Sequence, residues 1–320
     1  MKKTDVKKLA LVLFVFFIMN NEISFAKSVL PFTEKAASKY TPYLQFKGSR
    51  LFPSYVSAAA VIADLFAPVW QRSRADLFFT EFKANKRTGT SVGGNAHLGY
   101  RHLFPDGKKM LGFYGSFDRK KTNMREYFNQ VALGGECWVH NWFIGGNVYK
   151  PIGSTVKYPN SAQLEKALPG ADAEMGYEFI NGLVGYVGGS YFHASEVATV
   201  WGPKARLTYD WFNNGNRILG VFDKFGLETG VQNDKLNGIT WYLSANIRIG
   251  LHNKSSTLED ISSHMVDPVR RNMDIIAVLA TAFGQAKETS NGGLFWGANE
   301  EDRKQSLYGA GLTGSDVLGW

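Results

Sequence analysis

The chain has 320 residues, a formal net charge of +8 and one cysteine, Cys137. A lone cysteine excludes an internal disulfide and any cysteine-built metal cluster. The basic excess is not read as a nucleic-acid signal, because lysines crowd the first residues and the apparent turns at Lys86-Arg87, Lys108-Lys109 and Arg119-Lys120-Lys121, where solvated charge is usual; a weaker attraction to anionic lipid headgroups fits the same pattern.

In chain order, Met1-Lys2-Lys3 and Lys7-Lys8 precede an apolar run, Leu9 to Met19, closed by Ser24-Phe25-Ala26. A basic start, a short apolar core and small residues two apart predict a secretory signal peptide over 1–26. The run is shorter than the about 20 residues a spanning helix needs, and no later stretch approaches that length. Residues 27–42 read as a polar leader.

From Tyr43 the pattern changes to alternation. Val92, Ala96, Leu98 and Tyr100 share one parity, against Asn95, His97 and Arg101 on the other. Val131, Leu133, Cys137 and Val139 oppose Gln130 and Glu136; Ile239, Trp241, Leu243, Ala245, Ile247 and Ile249 oppose Thr240, Tyr242, Ser244, Asn246 and Arg248. Successive strand side chains point to opposite faces, so each segment has an apolar face and a polar one carrying the charges. A soluble β-sandwich explains alternation equally well. The frequency of the pattern, with glycines and aromatics throughout, instead predicts an all-β fold: a transmembrane antiparallel β-barrel over 43–251 with a wet lumen. Twelve strands are predicted, at Tyr43–Lys47, Tyr55–Phe66, Leu77–Ala84, 91–103, 109–118, 127–140, Phe143–Tyr149, 171–179, 184–193, 203–212, 218–232 and 238–250. Pro68, which cannot donate to a ladder, is expected to end the second.

Connections after even strands are short and rich in turn formers, such as Pro105-Asp106-Gly107 and Asn181-Gly182. Those after odd strands, such as Arg119 to Glu126, Pro151 to Gly170 and Ala194 to Gly202, are longer. This asymmetry separates an outer-membrane barrel from the sandwich. Beyond Leu251, Ser256-Thr257-Leu258-Glu259 fits a capping box, so a short helix to about Met265 is predicted, stopped at Asp267-Pro268. Ile275 to Phe283 is apolar but too short to span a bilayer. Residues 291–320 show no strand period, and 273–320 read as a short tail.

Several strings taken together resemble the inverse autotransporters, the intimin and invasin family. They are Asp64-Leu65-Phe66-Ala67-Pro68, Gly99-Tyr100-Arg101, Leu111-Gly112-Phe113-Tyr114, Phe117-Asp118, Phe128-Asn129-Gln130, Gly134-Gly135-Glu136 and Asn147-Val148-Tyr149-Lys150-Pro151-Ile152-Gly153, in that order. Met265-Val266-Asp267-Pro268-Val269-Arg270-Arg271-Asn272 is similar to the linker that follows the barrel there, with Pro268, Val269 and Arg270 at its centre. The resemblance implies a twelve-stranded barrel whose chain threads back through its own pore over 252–272 and places a C-terminal passenger outside the cell. It implies a bacterial outer-membrane location among lipid and lipopolysaccharide, insertion by barrel-assembly machinery and periplasmic chaperones, and a host or cell-surface receptor. The leader is shorter than the peptidoglycan-binding module that often precedes such barrels. Only about 48 residues follow Asn272, fewer than the usual immunoglobulin-like passengers need.

Charges on the inward parity are the candidate working residues. Arg101, Asp118 and Glu136, on consecutive strands, are predicted to form a cross-strand ladder, whose simplest role is mutual charge satisfaction. Glu174, Glu178, Arg206, Asp210, Glu228 and Arg248 are also predicted to line the pore, and Arg270 and Arg271 to meet the acids among them. Trp70, Tyr100, Tyr149, Tyr209, Trp211 and Trp241 are candidates for interfacial girdles. His193 and Ser195 are the nearest approach to a hydrolytic pair, but no orienting third group can be named. No catalytic, cofactor-binding or metal-binding residue is assigned. The alternatives are a passive porin-like channel and an outer-membrane lipid hydrolase.

Overall fold

The computed structural model describes residues 40–281, except 53–58, 73–74, 88–91, 123, 161–162, 196, 198, 213–220, 235–237, 252–259 and 273. The proposed capping box, the signal peptide, the leader before Tyr40 and the tail after Thr281 therefore lie outside the described residues.

Seven strands come first: β1 (Tyr43–Phe52), β2 (Ala59–Arg72), β3 (Asp76–Arg87), β4 (Val92–Leu103), β5 (Lys109–Lys121), β6 (Tyr127–Val139) and β7 (Trp142–Ile152). A small hairpin, β8 (Val156–Asn160) and β9 (Gln163–Ala167), follows. Then come β10 (Gly170–Ile180), β11 (Leu183–Phe192), β12 (Val200–Phe212), β13 (Lys224–Asp234) and β14 (Gly238–Gly250). Apart from β8 and β9, which belong to a separate small sheet, these strands pair antiparallel in one ring, and β1 closes onto β14 from Tyr43↔Gly250 to Phe52↔Trp241, giving a closed barrel of twelve strands. Closure leaves no unpaired edge, the condition a sheet must meet in hydrocarbon, where no water can take up a spare N–H or C=O. No helix among the described residues is long and apolar enough to cross a membrane.

Burial is inverted relative to a soluble protein. On β6, Leu133 is 67% exposed while Gln130 and Glu136 are buried; on β14, Trp241 and Leu243 are exposed while Thr240, Ser244 and Arg248 are buried. The greasy parity faces out all round the wall and the charged parity faces in. A sandwich would hide the first and wet the second.

Several boundaries move outward from the predicted ones, as at the ends of β3 and β5, because strand ends carry polar residues that the apolar count misses, while β2 and β13 start later than predicted. Pro68 does not end β2. The β2–β3 register shifts between Pro68 and Trp70, and this bulge accommodates the missing N–H while the strand runs on to Arg72. Arg87 and Lys120, predicted as exposed turn charges, are buried inside strands.

After β14 the chain turns into the lumen. A 3-10 helix, Asp260–Val266, stops at the residue before Asp267-Pro268 and packs near β4 and β5. Residues 267–272 and 274–276 then form neither helix nor strand, and β15 (Ala277–Thr281) pairs antiparallel with β9. The resulting three-stranded sheet, in the order β15-β9-β8, belongs to the long-loop end. In the sequence β15 reads only as part of the apolar run Ile275 to Phe283, with no strand predicted there.

Candidate functional site

Backbone groups outside helices and sheets still need partners when buried, so inside a lumen most of this segment's amides and carbonyls must be met by the wall. Side chains of β3 to β7 and β10 do this almost step by step. Arg101 Nη1 donates to the carbonyls of Met265 (2.9 Å) and Asp267 (2.7 Å). The N–H of Val269 faces both oxygens of Glu81 (3.2 and 3.3 Å), and its carbonyl accepts from Lys83 Nζ at 3.0 Å. Tyr114 Oη (3.1 Å) and Asn147 Nδ2 (3.3 Å) share the carbonyl of Arg270. Asn272 N–H donates to Tyr149 Oη (2.8 Å) and Asp172 Oδ2 (3.2 Å). Farther along, Lys120 Nζ lies 3.4 Å from the Ile275 carbonyl, and the Leu168 amide donates to the Ile276 carbonyl at 2.8 Å.

Side chains of the segment add ion pairs and stacking. Arg271 pairs with Asp118 and donates through Nε to His97 Nε2 at 2.8 Å. Arg87 pairs with Asp274 at 2.5 Å. His264 stacks on Trp138 with ring centroids 3.7 Å apart, and sits between Asp267 (2.8 Å) and Glu178 (3.5 Å). Arg270 pairs with Asp267 (3.2 Å) and lies over the Tyr186 ring. Charges this deep persist only when partnered, and here each of these has a partner from the wall or the segment itself.

The predicted ladder divides in two. Arg101 Nε reaches Glu136 at 2.5 Å, passing over β5, where Gly112 stands opposite both residues. A Cβ at Gly112 would come 2.7 Å from Glu136 Oε1, so glycine makes room for the crossing. Asp118 is not in that pair; it takes Arg271, with Asn95 (2.8 Å) and Gln130 (3.2 Å) donating to it. Among the described residues no ion pair joins Arg270 or Arg271 to Glu174, Glu178, Asp210 or Glu228, although the charge of Arg270 interacts through space with Glu174 and Asp210. Those acids are engaged with the wall or the helix instead: Glu174 by Arg206 (2.5 and 2.8 Å), Glu228 by Lys47 (2.9 Å) and Tyr242 (2.7 Å), Asp210 by Lys224 (2.5 Å), and Glu178 by His264 and the Gly182 amide. Arg248 bonds Gln45 (3.1 Å) and covers the Tyr43 ring.

Of the girdle candidates, Tyr209, Trp211 and Trp241 are exposed, while Tyr100 and Trp70 flank Phe78 in a chain of rings. Tyr149 points inward and is buried, because it is a hydrogen-bonding group for Asp172 and Asn272. His193 Nδ1 lies 2.8 Å from Thr199 Oγ1, and Ser195 offers its carbonyl to Lys166. Among the described residues no hydrogen bond joins His193 to Ser195, and no group of three or more metal-ligating side chains forms. Glu81, Lys83, His97, Tyr114, Asn147 and Asp172 escaped individual notice in the sequence. Their inward parity was the available signal, but nothing local says which inward residues face the returning chain.

Residues 54–180 match the family described as inverse autotransporter, beta-domain. Among solved structures, one described as "Unveiling the Mechanism Behind the in-meso Crystallization of Membrane Proteins" is similar at a TM-score of 0.60 and 16% identity, over 74% of this chain and 100% of that one. An outer membrane channel from Pseudomonas putida F1 is similar at 0.50 and 11% identity, over 70% and 100%. At these identities the likeness is one of fold. No curated protein matches the chain. The closed twelve-stranded wall, its inverted burial and the family match together make this an outer-membrane barrel whose residues 54–180 match the inverse-autotransporter β-domain.

Proposed function

We propose that the barrel is a translocator and anchor for its own C-terminal segment, holding it across the pore with the tail on the cell surface. The observation that carries this is the grip on the backbone from Met265 to Ile276 by wall side chains, ending in the β15–β9 pairing at the long-loop end. Long loops face outward in outer-membrane barrels, so that end is the extracellular one in this reading. Lipid and lipopolysaccharide would contact the apolar parity, and assembly machinery would insert it. A receptor for the exposed tail, and adhesion through it, are the finer form of the same proposal.

Protease treatment of intact cells tests it, with epitope tags at residue 320 and within the 151–170 loop. Loss of both tags from outside is expected. A cleavable loop with a protected tag at 320 would leave a plain barrel whose tail never reaches the surface.

A further inference from the structure

Cations on the outward parity of the wall are placed unevenly. At the long-loop end β1 carries Arg50, β3 Lys86, β5 Arg119 and Lys121, and β7 Lys150, each on the same parity as the exposed apolar residues of its strand. On the far side the exposed residues at this end are Tyr191 on β11, Trp201 on β12, and Ile239 and Trp241 on β14. The described residues of β10 to β14 include no outward cation, since Lys204, Arg206, Lys224 and Arg248 all lie on the inward parity. Pairing brings four of the outward cations together. Lys86 and Lys121 both stand opposite Val92, so their backbones are two strands, about 10 Å, apart. Arg119 lies two residues from Lys121 on the same face, about 7 Å along β5. Lys150 stands opposite Val131, which faces Phe117 in turn, so it flanks the group from β7.

Arg119 and Lys121 converge on the ring of Tyr127, at 4.9 and 5.2 Å from its centroid. Glu126 precedes that tyrosine in the chain, but among the described residues no ion pair joins it, or any other acid, to the four cations. No outward position of β3 to β7 at this end is acidic. Like charges gathered on one face favour an anion between them, and lysine and arginine donate strongly to phosphate oxygens. Farther along the same outward faces, toward the middle of the wall, come Phe82, Phe113, Phe117 and Val131, all exposed and apolar. Tyr127 marks the boundary, where an amphipathic ring suits a membrane interface. The ligand that fits both halves carries phosphate at one end and acyl chains at the other.

We propose that this cluster is a binding site for a phosphorylated lipid of the outer leaflet, its phosphates held by Lys86, Arg119, Lys121 and Lys150 and its acyl chains laid along Phe113 and Phe117. Lipopolysaccharide has that chemistry. The choice of leaflet rests on the reading of the long-loop end as extracellular; the site itself rests on the wall alone and needs neither the threaded segment nor export.

The test is a titration of the purified full chain in detergent with lipopolysaccharide, read as a mobility shift on native gels. Arg119→Gln with Lys121→Gln should weaken binding about thirtyfold, at about fivefold for each cation. Lys109→Gln, exposed at the opposite end of β5, should leave it unchanged. Dephosphorylated lipopolysaccharide should bind the wild type weakly, and excess inorganic phosphate, which lacks the chains, should not displace the intact lipid. A heat-modifiable band on gels certifies that each variant is folded. Equal affinity of the folded double variant, equal binding of the dephosphorylated lipid, or displacement by inorganic phosphate overturns the proposal. So does a large gain in lipid affinity on deleting 282–320, which would make the tail the occupant of the patch. Binding in detergent does not depend on orientation. Absent binding with the 151–170 tag cut on intact cells therefore overturns this inference alone, whereas normal binding with that tag uncut overturns the orientation and with it the leaflet.

Discussion

Arg101 and Glu136 form an ion pair at 2.5 Å although a whole strand lies between them. Gly112 is what permits it, and Arg101 uses the same guanidinium to hold the carbonyls of Met265 and Asp267. A change at position 112 should therefore reach the threaded segment without touching it. Gly112→Val is expected to displace Glu136 and free Arg101, lowering the resistance of the segment to protease while the wall still gives a heat-modifiable band. Arg101→Ala should reproduce the effect, leaving Glu136 buried without its partner, at a cost of about 3–5 kcal/mol in urea unfolding followed by tryptophan fluorescence.

The Arg271–Asp118 pair gives a cleaner energetic test, because one member is on the wall and the other on the segment. Arg271→Ala strands a buried carboxylate and Asp118→Ala strands a buried guanidinium, so each should destabilise the plugged state by about 3–5 kcal/mol. Removing both strands neither charge, although His97, Asn95 and Gln130 each lose a hydrogen-bond partner. The double variant is expected to cost clearly less than the sum of the singles, and unfolding titrations of all four chains measure the coupling. Additive losses would show that the two charges do not depend on each other.

Orientation of the wall toward lipid predicts an asymmetry between neighbours on one strand. Leu133 faces out and is 67% exposed, while Ala132 beside it is buried in the lumen. Leu133→Arg should cost about 2–4 kcal/mol in refolding into lipid vesicles if the site is near mid-bilayer. In detergent-free buffer the same variant should gain nothing, because the wild-type chain itself is expected to aggregate there through its apolar parity.

The pairing of β15 with β9 can be broken alone. The Leu168 amide donates to the Ile276 carbonyl, so Ile276 and, two residues on, Val278 turn their backbone toward β9. Val278→Pro removes the N–H facing Lys166. Protease should then cut near residues 277–281 at a faster rate, with the barrel's thermal transition unchanged. Ala277→Pro, whose N–H faces away, is the control and should change cleavage less.

What could be read in advance and what could not follow from range. Alternation at Val92 to Arg101 or Ile239 to Arg248 is local, so the wall, its inward and outward faces and the existence of twelve strands were legible. Residue-level ends were not, because Arg119-Lys120-Lys121 has the composition of a turn while the ladder continues through it. Pro68 misled for a related reason: the rule that proline stops a strand holds unless a bulge takes the position, and a bulge depends on the partner strand. In the lumen, the polar parity named the lining but not its pairs. Arg101 and Asp118 were grouped by adjacency, whereas Gly112 on the intervening strand and Arg271, some 153 positions along the chain from Asp118, decide which acid each base meets. The mouth sheet joins the apolar β15 to the largely polar hairpin of β8 and β9, pieces that are uninformative when read singly.

The wall takes hold of Met265, Asp267, Val269, Arg270, Asn272 and Ile275 chiefly through peptide groups, which every residue but proline presents alike. A polypeptide sliding through would meet the same footholds whatever its side chains spell. Cargo could then change sequence freely without any matching change in the conduit, and only the residues that park the chain, Arg271 and His264 foremost, would need to be kept.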